Sequence, residues 1–280
     1  MHRIRLLGAC SAVAAAVALV PTAASARPLA AGARSAPVIT LSGSTSVAPL
    51  AIRLAKGYLK QHPHRAKFKI AQGGSDIGVA DVAAGRVSIG DSSRDPKDSD
   101  PGGLVFNKIA RDAICLITNP SNQLANLSQA QVQAIFSGQV RDWGSVPGAT
   151  ASGPIDLVVR TAASGTQDAF QKIFLGSAKP STSAAAKASN GLVQQAVQSD
   201  KNAIGYVSLD FTNGTNKAAY QGVGCTLPNA KSGQYGGTRN FWMVTRGAPA
   251  KGSAVQKFIY WVQNSRRAAK IIARGWVPLK

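Results

Sequence analysis

The 280-residue chain predicts an α/β protein of two lobes, each a mainly parallel sheet flanked by helices. Three observations lead there. Strand-like runs alternate with helical stripes along most of the chain, the pattern of parallel sheets whose ligands sit at the strand C-terminal ends. Three strand–loop–helix junctions carry Gly beside Ser or Thr at the helix start. The ordered part, about 240 residues, exceeds one comfortable α/β core.

The elements follow in order. Residues 1–26 read as a secretory targeting segment. Arg3 and Arg5 are its basic region, Leu6 to Val20 its apolar region, and Ala24-Ser25-Ala26 its cleavage signal. Leu7-Gly8-Ala9-Cys10 resembles a lipoprotein box, but the apolar stretch lies mostly after Cys10, where a lipobox needs it before. Residues 27–37 read as a flexible leader, and no later stretch approaches the ~20 apolar residues of a membrane span. Val38–Leu41 predicts a strand running into Ser42-Gly43-Ser44-Thr45-Ser46, followed by a helix with Val47, Leu50, Leu54 and Tyr58 on one face. Pro49 falls in its first turn, where a missing N–H costs nothing. Phe68–Ala71 predicts a second strand leading into Gln72-Gly73-Gly74-Ser75 and a short helix closed by Gly85. Val87–Ile89 and Ala113–Thr118 are further strands.

Leu127-Ser128-Gln129-Ala130-Gln131 holds a capping box that opens a helix stopped by Gly138. Ile155–Arg160 is a strand, and Phe170, Ile173 and Phe174 mark the helix after it. Ala203–Ser208 and Phe241–Thr245 are the last strands, and Asn213 to Thr238 reads as a long surface loop. Two C-terminal helices follow: one with Val255, Phe258, Ile259 and Val262, the other with Ala268, Ala269 and Ile272, capped by Gly275.

The junction after Ile155–Arg160 carries the most chemistry. Ser164-Gly165-Thr166 stands at a helix start, where free N–H groups and the positive end of the dipole meet, and Arg160 stands beside it. Gly165 allows close backbone approach, and two hydroxyls and a guanidinium suit a small desolvated oxyanion. An ordinary Ser/Thr cap with a surface Arg competes as a reading of that segment alone. Three such junctions in one chain shift the balance toward a ligand.

The full chain carries a formal charge of +20; without Arg3 and Arg5 the mature chain carries +18. Nucleic-acid binding, adhesion to an anionic surface and attraction of anionic ligands all fit such a charge. Scattered cations and only 6% aromatics disfavour a base-stacking surface, so no nucleic-acid partner is expected. Cys115 and Cys225 are the only mature cysteines, and the sequence leaves open a disulfide or a buried free thiol at Cys115. His62-Pro63-His64 reads as a solvated connection, and no metal site or cofactor is expected.

Taken together, Gly43-Ser44-Thr45-Ser46-Val47-x-Pro49-Leu50, Gln72-Gly73-Gly74-Ser75, Ile89-Gly90-Asp91-Ser92-Ser93-Arg94, Arg160-x-x-x-Ser164-Gly165-Thr166 and Ala203-Ile204-Gly205-Tyr206-Val207-Ser208 resemble the phosphate-binding proteins of phosphate ABC transporters. The resemblance spans roughly Val38 to Lys280 and includes the Ile135-Phe136-Ser137-Gly138…Asp142-Trp143 pattern. It implies a two-lobed periplasmic-binding-protein fold. Residues 38–118 and 240–280 would form lobe one and 119–239 lobe two, with crossings near Thr118-Asn119 and Arg239-Asn240. It implies one inorganic phosphate in the cleft, held by Thr45, Ser46, Ser75 and Ser93 from one side and by Arg160, Ser164, Gly165 and Thr166 from the other. It further implies a monomeric, periplasmic or secreted protein that is no enzyme and delivers ligand to membrane ABC permease components.

The chain departs from the family in three places. Thr161-Ala162-Ala163 stand where many members have acidic residues, Asp76 stands where members usually have Gly, and Ser93 stands where some have Asp. A carboxylate at the site would accept a hydrogen bond from the P–OH of monohydrogen phosphate and repel sulfate. Asp76 is the first candidate for that part and Asp91 the second. A surface charge complementing the helix dipole is the alternative for Asp76. A binder of another tetrahedral oxyanion, such as sulfate or molybdate, and a basic surface-adhesion protein are the alternatives for the whole chain. An enzyme is disfavoured, because neither His62 nor His64 neighbours a glycine-flanked serine and metal ligands are lacking.

Overall fold

The computed structural model describes residues 35–279, of which Ala36 onward forms one compact unit. The targeting segment and most of the leader lie outside the described residues. In chain order the elements are β1 (Val38–Gly43), α1 (Ala48–Gln61), β2 (Lys67–Ile70), α2 (Ser75–Ala83), β3 (Ile89–Ser92), β4 (Leu104–Thr118), β5 (Asn126–Leu127), α3 (Gln129–Phe136), β6 (Asp156–Arg160), α4 (Gly165–Phe170), β7 (Ala185–Lys187), α5 (Asn190–Ser199), β8 (Ala203–Ser208), β9 (Asn216–Tyr220), α6 (Leu227–Ser232), β10 (Thr238–Arg246), α7 (Ala254–Asn264) and α8 (Arg266–Ile272). No described helix is long and apolar enough to cross a membrane.

The fold is mixed α/β, as expected. The main path of its sheet runs β2-β1-β3-β10-β4-β8-β6-β7, with β9 attached to β4 and β5 to β9. Parallel pairing joins β1 to β2 and β3, and β6 to β7 and β8. The central strands differ: β10 runs antiparallel to β3 and β4, and β4 antiparallel to β8 and β9. The β1-β2-β3 set therefore hangs on β10 and the β6-β7-β8 set on the 15-residue β4, and the pairing of β10 with β4 joins them.

Buried apolar side chains form two large clusters. One draws on Ile39 to Ala110 and Phe241 to Trp276, the other on Ala113 to Tyr235 together with Val277. The changeover falls between Ala110 and Ala113, earlier in β4 than the expected crossing at Thr118-Asn119. Val47, Leu50, Leu54 and Tyr58 are all buried, so α1 packs by the predicted stripe. The Ser128–Gln131 capping box forms reciprocally.

Several boundaries differ from expectation. The third strand begins at Ile89 rather than Val87, because its pairing with β1 starts at Leu41↔Ile89. The supposed loop from Asn213 to Thr238 contains β9 and α6, since Ala218, Tyr220 and Ala230 find buried places beside β4. Gly275 is not among the left-handed glycines; α8 ends at Ile272 with Ala273 as its cap. Cys115 and Cys225 are joined in a disulfide, Cα to Cα 5.5 Å, which settles the alternatives left open.

Candidate functional site

Three helix starts converge at the strand ends. After β1 the chain turns at Gly43, φ 130°, where an added Cβ would collide with the Asp91 carbonyl and lie 2.9 Å from the Gly78 Cα. That close approach aims the next hydroxyls inward. Ser44 Oγ accepts from the N–H groups of Ser46 (3.2 Å) and Val47 (3.3 Å), which orders the turn just ahead of α1. It donates to Ser93 Oγ at 2.8 Å. After β2, the N–H groups of Gly73 and Gly74 both bond the Gly43 carbonyl at 2.9 Å, tying the second loop to the first. Ser75, fully buried, then accepts from the Ser93 N–H at 3.0 Å and meets Ser93 Oγ at 3.3 Å.

The third start comes from the other apolar cluster. Ser164 caps α4, its Oγ accepting from the N–H groups of Thr166 and Gln167. Gly165 packs so closely that a Cβ would collide with Ser75 Oγ and lie 2.8 Å from Ser93 Oγ. Thr166 Oγ1 lies 3.0 Å from Ser46 Oγ, and the Asp76 N–H donates to the Ala163 carbonyl at 3.1 Å. Thr45, Ser46, Ser75, Ser93, Arg160, Ser164 and Thr166 are each no more than 5% exposed, and Gly165 is buried beside them.

Arg160 closes the ring. Its guanidinium donates to Thr45 Oγ1 (3.2 Å) and Thr166 Oγ1 (3.4 Å), braced by the carbonyls of Lys187 and Ala188. Its main-chain N–H donates to the Tyr206 hydroxyl at 3.0 Å. Among the described residues no carboxylate touches it. Burial draws its pKa down to about 10, so it stays charged at neutral pH. The absence of acidic residues after Arg160 thus leaves aim to backbone carbonyls.

Two further side chains reach the same hydroxyls, and sequence reasoning missed both. Asn190 Nδ2 donates to Thr45 Oγ1 (3.0 Å) and Ser46 Oγ (2.8 Å). Arg239 donates to Ser46 Oγ (2.8 Å) and Ser93 Oγ (3.4 Å), while Asp112 Oδ2 accepts from its Nε and Nη2 at 3.2 and 3.0 Å. Ser208 Oγ donates to that same carboxylate oxygen at 2.6 Å. Burial pushes Asp112 up and Arg239 down, and each charge draws the other back. Asn190 follows the cap Ser189 on a helix behind the three-residue β7, too short to read as a fourth junction. Arg239 and Asp112 are cross-strand partners, a pairing that only the β4–β10 register reveals.

Asp76, the first candidate for the proton-reading part, stands beside two cations. Its carboxylate lies 2.6 Å from Arg94 Nε and 3.6 Å from Lys97 Nζ, and its side chain is 38% exposed. Arg94 is almost fully buried and takes Asp76 and Asp100 as counter-charges, which commits Asp76 away from the hydroxyl cluster. Asp91 is buried in β3, and neither of its carboxylate oxygens has a hydrogen-bond partner among the described residues. Desolvation holds its pKa well above the usual carboxylate range, so it favours the neutral acid. No acidic cluster suited to a metal occurs among the described residues. His62 packs its ring 4.7 Å from that of Tyr58, and His64 is exposed.

The arrangement is rich in donors, and water is largely excluded from it. Hydroxyls both donate and accept, so they serve protonated and deprotonated oxygens alike. Two guanidiniums, one of them paired with Asp112, join three helix starts.

A family model for the PBP superfamily domain matches residues 23–266. Phosphate-binding protein PstS of Bacillus subtilis is 26% identical over 246 residues, covering 86% of this chain and 80% of that protein. Among solved structures, a substrate-binding protein of Clostridium perfringens, attributed to a phosphate ABC transporter and crystallised with bound phosphate, superposes with a TM-score of 0.80. It shares 29% identity and covers 87% of this chain and all of the other. An ABC-type phosphate transport receptor of Vibrio cholerae superposes with a TM-score of 0.69 at 26% identity, covering 85% and 99%.

Proposed function

The chain belongs to the PBP superfamily, and on that premise we propose that it binds inorganic phosphate outside the cytoplasm and delivers it to an ABC importer. One observation carries the reading: hydroxyls from three helix starts and the Arg160 guanidinium meet in one buried cluster. The relatives named for phosphate binding and phosphate transport support the same ligand. Phosphate is held by Thr45, Ser46, Ser75 and Ser93 from one lobe and by Arg160, Ser164, Gly165 and Thr166 from the other. The two apolar clusters support the division into lobes, with β4 and β10 as the crossing segments.

Both lobes contribute donors, so the anion stabilises the closed form over the open one. Binding is not followed by chemistry, since the cluster holds hydroxyls without a neighbouring general base. The protein acts as a monomer, with the membrane permease as its partner. Calorimetric titration of the purified protein against phosphate, sulfate, arsenate and molybdate tests the reading. Phosphate bound more tightly than sulfate at pH 7, with no hydrolysis of a phosphate ester by metal-free protein, is the expected result. Tighter sulfate binding, or ester turnover, would overturn it.

A further inference from the structure

The charge of this chain is segregated. All twelve acidic residues are aspartates lying between Asp76 and Asp210. The segments before and after contain none, and they fold together: α1 packs against α7 and α8, and β2 lies beside β1. Arg53, Lys56 and Lys60 are exposed along one stripe of α1, and Arg266, Lys270 and Arg274 along and just past α8. Among the described residues, the only ion pair these six make is Arg53 with Asp210, at 3.6 Å. Between α1 and α7 lies a groove of about 420 Å³, lined by His62, Arg65, Lys257 and Tyr260 over Tyr58 and Trp261. Tyr260 is 67% exposed at the groove.

From this surface we infer a second anion site, distinct from the phosphate cleft: a docking groove for a linear polyol-phosphate polymer. Rows of cations one helical turn apart suit a chain whose phosphates repeat along its length. The cleft instead converges its donors on a single ion. A bilayer of anionic lipid is a poorer match. Helices that lie on membranes insert an apolar face, and here Leu50, Leu54, Phe258, Ile259 and Val262 spend that face on the core. A nucleic acid is also a poorer match, because among the described residues Tyr260 alone is an exposed aromatic ring and no succession of stacking platforms follows it. The bound polymer neutralises the most self-repelling part of the molecule and holds the protein near an anionic surface while the cleft stays open to its ligand.

The test uses the mature chain with poly(glycerol phosphate) as probe, by fluorescence titration across a range of salt. Parallel arms use phosphatidylglycerol vesicles and an oligothymidylate of equal phosphate content. Two variants remove groove and helix cations: Arg65→Ala with Lys257→Ala, and Arg266→Ala with Lys270→Ala. All four side chains are exposed or line the groove, so folding is undisturbed. The parent should bind the polymer more tightly than either comparison probe, with affinity falling steeply as salt rises. Each pair of substitutions should flatten the slope of log affinity against log salt by roughly 1 to 2, about 0.7 per cation lost. Orthophosphate affinity should be unchanged. The inference is overturned if both variants keep the parent's slope, or if vesicles or the oligonucleotide bind as tightly. It also falls if excess orthophosphate at constant ionic strength displaces the polymer, which would put the polymer in the cleft.

Discussion

Arg239 provides the sharpest test of the site, because its two roles separate. Arg239→Met keeps an apolar stem but removes the donors to Ser46, Ser93 and Asp112. It leaves the Asp112 carboxylate, 1% exposed, without its counter-charge, and breaking such a buried pair costs about 3–5 kcal/mol. For a chain of this size that lowers Tm by roughly 6–20 °C. Proton uptake by Asp112, already pushed up by burial, limits the loss, so the deficit should shrink as pH falls. Adding Asp112→Asn removes the stranded charge and should recover most of the stability, since replacing both members of a buried pair is often near neutral. Phosphate affinity should behave differently. It depends on the lost guanidinium, so it should stay weakened in the double variant, by about tenfold or more (~1.4 kcal/mol). Thermal unfolding and calorimetric titration of parent, both single variants and the double variant complete the cycle. Recovery of phosphate affinity together with stability would mean that Arg239 is structural only, and the assignment of a second guanidinium to the site would fail.

Arg160→Ala should weaken phosphate binding by roughly thirtyfold or more, the loss of about 2–5 kcal/mol from a buried charged contact, with the fold retained by circular dichroism. Asp76→Asn should leave the phosphate-to-sulfate affinity ratio unchanged in competition titrations, because Asp76 faces Arg94 and Lys97. Asp91 binds its proton more tightly in the folded than in the unfolded state, so its contribution to stability declines as pH rises from about 4 through its raised folded value. Asp91→Asn should flatten that decline in Tm measured between acid and neutral pH, and an unchanged profile would show that Asp91 does not titrate in that range. Reducing Cys115–Cys225 releases a link between positions 110 apart, which should lower unfolding free energy by about 4–5 kcal/mol in denaturant titrations without changing phosphate affinity.

Most of the buried hydroxyl cluster was legible because its geometry is local. A Ser or Thr at a helix start bonds N–H groups two or three residues on, so Ser44, Ser164 and the direction of their neighbours follow from order along the chain. Gly165 was legible as a close-approach residue, although what it approaches, Ser75 and Ser93, comes from the start of α2 and the end of β3. The strands that flank the junctions were found with end errors of a few residues. The short β7 and β9 were missed because they lack apolar runs of their own and exist by pairing with longer neighbours.

By itself the sequence determined the α/β class, the three donor-bearing helix starts, the cationic excess and the absence of acid before Asp76 and after Asp210. Tertiary structure alone decided which charge meets which. Asp112 and Arg239 stand 127 positions apart and are opposed only because β10 returns antiparallel to β4. The same kind of distant packing left Asp91 without a partner, drew Asp76 to Arg94 and brought Cys225 to Cys115. The physical reason is range. A helix cap is satisfied within four residues of chain, whereas a buried charge must find its counter-charge wherever strand register and crossover bring it.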